Sequence, residues 1–402
     1  MIVQVERPFR IGGEDPEYTR GEVVRLPVEL ASLFVGLGLA IPSKDTGKVR
    51  AFTSDMNRLR RDVGVRPYDP NVYFHDKASL WDARPGQKIL IVRKYGGLGD
   101  ILIASYLLQA VHERFPDNPL TFANPRRYRD LFDNVSWLHF LEYDDIFKDY
   151  NFIRGGVIAN EITEQYDIVE DVSTPCHIWE TNFKSFDFDR DGLLWRNRLD
   201  IWGNWIGVYG FDNAQSCIKI LPAEIKRMRA KCFGNQKHTC IVAPMSALDS
   251  KDFPYYDALC AALKAHGYNV KLAGNKKYFV EQQHHAPLMA ASNRELVAMT
   301  GAADLIVTVD SAFLHAAGIT GTQGVGIFNI NDGATYCKYY PTVTPVQLCD
   351  KPCIMLHAHQ CQWDIGHRKT CYPKDSVDRI MAAVPRPERI GKPTRPTRRR
   401  RS

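Results

Sequence analysis

Short apolar runs alternate with stretches of helical periodicity along most of the chain. Residues 89–92 form a continuous apolar run, the length of a strand buried on both faces. A glycine-rich turn follows, and residues 101–115 then place apolar side chains at helical spacing. Residues 120–123 and 168–172 are further strand candidates. The style recurs downstream, with strands predicted at 239–243, 269–273, 305–309 and 325–328. Helices are predicted at 255–266 and 294–300, and another starts near residue 311. Strand, glycine turn and helix in succession predict an α/β protein built on parallel sheets. Two such regions in tandem predict a ligand cleft beyond the carboxyl ends of the strands.

The flanks differ from this pattern. Residues 1–46 read as a small β-rich module, with β-like runs at 2–5 and 23–26, a turn region at 17–21 and a helix over 28–37. Residues 47–87 are polar and Arg-rich and read as a linker. Residues 88–225 form the first Rossmann-like unit and 235–384 the second. After residue 384 the Pro/Arg/Thr composition predicts a disordered tail.

Charge sharpens that division. The chain has 52 Lys+Arg against 46 Asp+Glu, a net charge of +6. Residues 385–402 hold eight basic residues and one acidic, which leaves 44 basic and 45 acidic in the rest. The folded part is thus near neutral, which excludes a nucleic-acid function argued from overall charge. The tail, with Arg398–Arg401 at its end, either contacts phosphates or is a solubilising end. No apolar run approaches the ~20 residues of a membrane span. The amino terminus lacks a signal-peptide pattern, which predicts a cytoplasmic location, the host cytoplasm if the chain is viral. Ten cysteines in such a location are not presumed to be disulfides.

Three segments carry candidate chemistry. In Gly96-Gly97-Leu98-Gly99-Asp100 the glycines allow close approach of backbone to a ligand at a helix amino terminus. The dinucleotide fingerprint fails, because Leu102 stands at its third glycine position. Asp100 is either a helix cap or a base that accepts a proton from an attacking hydroxyl. In the run from Val309 to His315, a strand ends at Asp310 and Ser311 begins a helix. The N–H groups of residues 311–313 then suit a phosphate, and Asp310 suits sugar hydroxyls. His315, one turn on, either faces the same cleft or is a satisfied core histidine. The loop from Ala243 to Lys251 contains Ser246 and ends on a lysine that either counters a diphosphate or is solvated. Asp187–Gly192 looks like the start of a calcium loop, but Arg198 stands where the twelfth-position Glu is needed, so a solvated turn is expected.

Together these segments resemble glycosyltransferase family 9, the ADP-heptose:lipopolysaccharide heptosyltransferases and their relatives. The resemblance rests on Gly96–Asp100, on Lys251-Asp252-Phe253-Pro254 and on the run from Ala303-Asp304-Leu305 through Asp310-Ser311-Ala312 to His315. It spans residues 88–384, and residues 1–87 have no counterpart in the ordinary members. It implies a GT-B fold of two Rossmann-like domains, with the acceptor on the first and a nucleotide-diphospho-sugar on the second. It also implies an inverting, metal-independent transfer with Asp100 as base. Lys251, Ser246, Asp310, Ser311, Ala312 and His315 would lie at the donor. The family usually has Gly where Ala312 stands, which bears on the identity of the donor. The acceptor is lipopolysaccharide core by family norm, while the extra module and tail suit a protein or a modified nucleic acid.

Cys349, Cys353, Cys361 and Cys371 fall within 23 residues. They are either ligands of a structural zinc or iron, as the resemblance suggests for some relatives, or buried free thiols. No cofactor is expected in catalysis. Two alternatives stand beside the enzyme: an inactive sugar-nucleotide-binding or structural protein, and a nucleic-acid-associated protein using the tail.

Overall fold

In the computed structural model the described residues are 80, 83–93, 96–142, 160–172, 197–208, 210–246, 251–274, 288–329, 331–348 and 372–389, with four short strands before them. Those strands are β1 (Ile2–Val5), β2 (Val23–Arg25), β3 (Ala40–Pro42) and β4 (Val49–Ala51), in the sheet order β3-β1-β2-β4. β1 is antiparallel to β2 and β3, while β2 and β4 are parallel. The expected strands at 2–5 and 23–26 are therefore present, whereas β4 falls in the stretch whose composition reads as linker. Three residues in polar surroundings carry no periodicity; pairing with β2 is what makes them a strand. The helix expected over 28–37 lies outside the described residues.

The first parallel sheet contains β5 (Ile89–Val92), β6 (Leu120–Asn124), β7 (Leu138–Glu142) and β8 (Ile168–Asp171), in the order β7-β6-β5-β8. β5 is central and every residue in it is buried, which its unbroken Ile-Leu-Ile-Val run requires. Helix α1 (Leu98–Arg114) follows the glycine turn, with Asp100 in its first turn and Arg114 in its last, each sign matching the helix dipole. A 3-10 helix (Arg126–Phe132) follows β6. A short helix α2 (Asn160–Thr163) precedes β8. Helix α3 (Arg198–Ile206) starts at Asn197, whose side chain caps the Leu199 N–H, and stops at Gly207. Helix α4 (Pro222–Phe233) opens on proline and on Glu224, which accepts the Leu221 N–H at 2.8 Å.

The second parallel sheet has the order β10-β9-β11-β12-β13. Its strands are β9 (Thr239–Ala243), β10 (Asn269–Leu272), β11 (Leu305–Val309), β12 (Gly324–Phe328) and β13 (Val343–Gln347). Around them lie α5 (Tyr256–Ala265), α6 (Asn293–Ala302), α7 (Ala312–Thr320), α8 (Gly333–Tyr336) and α9 (Ser376–Ala383). The sequence pattern reveals neither β7 nor β13. Both are edge strands: β7 is largely half-buried, and Pro345 breaks the β pattern of β13 where only an edge tolerates it.

The two parallel sheets share one apolar cluster. Ile101, Leu107 and Phe122 from the first half and Phe313, Leu314 and Ala316 from the second are members of it. Arg294 adds a polar joint. Its guanidinium donates to both Glu224 oxygens at 2.6 and 2.8 Å and to the carbonyls of Leu131 and Lys219. Its own N–H donates to Asp130 Oδ2 at 2.9 Å. A bidentate pair with satisfied carbonyls around it fixes the angle between elements as well as their distance.

Candidate active site

The turn after β5 is held from both sides. Gly96 has φ +124°, and a methyl there would also lie 2.4 Å from Asp100 Oδ2, so only glycine fits. The Tyr128 hydroxyl donates to the Gly96 carbonyl at 3.2 Å. Asp100 Oδ2 accepts the Gly97 N–H at 2.8 Å, so the side chain does cap its own helix. Its other oxygen, Oδ1, is in ion pairs with Arg93 (3.7 Å) and Arg198. Arg93 is itself buried at the end of β5, donates to the Val172 carbonyl at 3.0 Å and lies over the Trp202 ring at 4.8 Å. The cap reading is therefore correct, and it does not exhaust the residue: one oxygen caps, while the other faces two guanidinium groups.

The second corner lies at the end of β11. Asp310 Oδ2 accepts from Lys251 Nζ at 2.6 Å and from Asn331 Nδ2 at 2.6 Å. Its Oδ1 is 4.0 Å from His315 Nε2. Burial alone would push the Asp310 carboxyl up, but Lys251, with help from His315 and Asn331, holds it below the ordinary carboxylate value. Ser311 is the N-cap of α7: its Oγ accepts the Phe313 N–H at 3.3 Å and shares a 2.9 Å bond with Thr308 Oγ1. Ala312 is the first residue of that helix, whose positive end faces the same corner.

Lys251 is not a solvated lysine. Its ammonium is bound to Asp310, its carbonyl accepts the Tyr372 hydroxyl at 2.9 Å, and its side chain is 17% exposed. The following Phe253 N–H closes the loop onto the Pro244 carbonyl at 2.8 Å. Ser246 is half-buried at the loop's other end, where its N–H donates to Asp252 Oδ1 at 2.8 Å. Residues 247–250 lie outside the described residues.

His315 joins the corners. A methyl built on Gly99 would lie 2.8 Å from His315 Cδ2 and 3.2 Å from Nε2, with Ala312 Cα at 3.9 Å. The imidazole thus packs directly against the glycine turn of the first sheet while its Nε2 faces Asp310 of the second. Its Nδ1 bonds the Tyr340 hydroxyl at 2.8 Å. Burial pushes the imidazole pKa down to about 4; Asp310 opposes this, while Arg198 and Lys251 add to it. His315 is therefore neutral at pH 7. It is both a satisfied core histidine and a neighbour of the site.

The sequence pattern singles out neither Arg93, Asn331 nor Tyr340 for the site, and it marks Arg198 only as a misfit in a calcium-loop pattern. Arg93 had a usable signal, since a cation directly following a fully apolar strand needs a partner when buried. The other three carry none nearby. Asp187–Gly192 and the cysteines Cys349, Cys353, Cys361 and Cys371 lie outside the described residues. Among the described residues no group of His, Cys, Asp or Glu could hold a metal ion, and Cys217, Cys232, Cys240, Cys260 and Cys337 are free thiols. No described helix is long and apolar enough to cross a membrane.

Comparison with known proteins bears on the second sheet first. Residues 209–363 match glycosyltransferase family 9 (heptosyltransferase). No curated protein matches the chain. Among solved structures, a glycosyl transferase family 9 protein from Veillonella parvula is similar at 17% identity, over 65% of this chain and 86% of its own, with a TM-score of 0.49. The E. coli ADP-heptose lps heptosyltransferase II is similar at 15% identity, over 73% and 98%, with a TM-score of 0.48. The iron-containing dodecameric glycosyltransferase TibC from E. coli is similar at 14% identity, over 76% and 79%, with a TM-score of 0.49. The parallel α/β architecture expected from the sequence is present in both sheets, and the stretch that matches the glycosyltransferase family 9 (heptosyltransferase) model, residues 209–363, contains the whole of the second sheet.

Proposed function

We propose that this protein transfers a sugar, heptose on the family's pattern, from a nucleotide-diphospho-sugar to an acceptor hydroxyl with inversion. The observation that carries the reading is the contact of Gly99 with His315, which brings the turn before Asp100 against the helix that follows Asp310. Residues 88–225 would hold the acceptor and 235–384 the donor. Asp100 takes the hydroxyl proton as that oxygen bonds to the anomeric carbon, and the bond from this carbon to the diphosphate oxygen breaks. The amino terminus of α7, at Ser311 and Ala312, stabilises the departing diphosphate. Lys251 adds a positive charge whose position Asp310 sets. Neutral His315 adds no second cation there.

The scheme uses no metal. Cys349, Cys353, Cys361 and Cys371 are assigned to a structural zinc or iron with no part in the transfer; metal content of the purified chain, compared with a four-serine variant, tests that assignment. The acceptor is lipopolysaccharide core, a protein or a modified nucleic acid, a choice that residues 1–87 and the basic tail make.

A thermal-shift panel of nucleotide sugars tests the donor. A ligand that binds only the folded chain adds about 2.7 kcal/mol at one hundred times its Kd. The expected result is a raised Tm with ADP-heptose or another nucleotide-diphospho-sugar and none with the free sugar. No shift with any nucleotide sugar contradicts the reading.

A further inference from the structure

The first turn of α3 touches both halves of the molecule. On one side Arg198 is ion-paired with Asp100. On the other, Asn197 Nδ2 donates to the carbonyls of Thr335 (3.0 Å) and Tyr336 (3.4 Å). Asp200 is bound by Lys338 Nζ at 2.9 Å and by the Tyr339 hydroxyl. These contacts fall on α8 and the residues after it. The same segment begins with Asn331, which donates to Asp310 at 2.6 Å, and with Asp332, which caps the Thr335 N–H at 2.9 Å. A continuous set of contacts therefore runs from Asp310 through residues 331–339 to α3, and through Arg198 to Asp100. The base of α3 is firm as well: Trp202 is fully buried beneath the Arg93 guanidinium.

We propose that Arg198 is a positioning residue that sets the orientation of the Asp100 carboxylate according to the state of the Asp310 corner. The inference rests on the reading of Asp100 as the base. An aspartate at the third position of a helix can turn freely about its side-chain bonds once its cap bond breaks. Arg198, beside Arg93, pairs with the oxygen not used for capping and so fixes the direction in which it points. Because α3 is held by residues 335–339, a shift of Asn331 when a diphosphate arrives near Asp310 is carried to Arg198. Coupling of this kind passes through packed elements and paired charges, and energetic coupling is what demonstrates it.

The experiment uses the full chain and ADP-heptose as the donor probe, following ADP release with water as acceptor. Arg198→Gln is expected to lower kcat about tenfold or more with KM changed less than about threefold, since misplacement of a reacting group affects the chemical step. Arg198→Lys should recover part of the loss, because it keeps the charge without the fork. Asp200→Asn, which touches neither Asp100 nor the reacting atoms, should lower kcat in the same direction and by less. An unchanged kcat in Arg198→Gln overturns the proposal. If the wild type releases no ADP, the donor reading fails for this sugar, and the link is decided by melting temperatures alone. Asp100→Asn, Arg198→Gln and the double variant should then be non-additive by roughly 1–3 °C. Additive shifts overturn the link whatever the donor.

Discussion

Two corners of this molecule are written alike and built differently. Each has an apolar strand, a turn, an aspartate and a helix. In the first, Asp100 lies inside the helix, caps the turn that precedes it and receives arginines from β5 and α3. In the second, Asp310 lies just before the Ser311 cap and is bound by Lys251 and Asn331, which are 59 and 21 residues away in sequence. The first carboxylate has one oxygen engaged locally and one turned to two guanidinium groups. The second is fixed on a single oxygen by two short bonds. A carboxylate that must accept and release a proton suits the first arrangement, and one that must place a lysine suits the second.

The largest effect that sharpens this contrast is on stability. Lys251→Met leaves Asp310 buried without its cation, a change that typically costs about 3–5 kcal/mol. Chemical denaturation should show that loss, and adding Asp310→Asn in the same chain should restore most of it. If Lys251→Met is neutral, the second corner is not the rigid one.

Next in size is a pH effect from His315. In the unfolded chain a histidine takes its proton near pH 6.5, while folded His315 takes none until about pH 4. Between those values the unfolded state binds the extra proton, so stability is complete above about 6.5 and falls as the pH drops toward 4. The total is on the order of 3 kcal/mol, from the size of the shift. Denaturation midpoints measured from pH 7 to pH 4 should fall more steeply for the wild type than for His315→Gln; parallel curves would contradict a neutral, enclosed imidazole.

A smaller effect is expected at the contact between the corners. Gly99→Ala places a methyl against the His315 ring, which is buried and hydrogen-bonded to Tyr340 and so has little room to yield. Overpacking of this kind costs about 1–3 kcal/mol. Tm should drop in Gly99→Ala and recover in part when His315→Ala is added. No coupling between the two substitutions would mean that the glycine turn and α7 do not press on one another.

Much of both corners was legible because the residues that make a strand-turn-helix unit are adjacent in sequence. Gly96–Asp100 and Val309–His315 are each read in one pass, and β5 appears as an unbroken apolar run, with β9 and β11 as apolar runs holding one threonine each. The parts that stayed hidden are those whose meaning comes from a distant partner. Asn331 and Tyr340 look like ordinary loop residues until Asp310 and His315 are placed beside them. Arg198 entered the sequence reading only as the wrong residue for a calcium loop, and its place beside Asp100 follows from how α3 packs. For Lys251, solvation was the natural expectation from residue type, but the loop closed by Phe253 and Tyr372 brings it onto Asp310. The edge strands β7 and β13 escaped for a related reason: half-exposed strands lack the apolar run that marks a central one.

The most direct test of the central claim is ADP release from ADP-heptose by the wild type and by Asp100→Asn. Asparagine keeps an oxygen that can accept the Gly97 N–H, so the variant should still fold, with a Tm lowered by loss of the ion pairs to Arg93 and Arg198. It cannot take a proton, so kcat should fall by about 10²–10⁴ while the donor still raises its Tm. Equal turnover in the two proteins would contradict the assignment of Asp100 as the base.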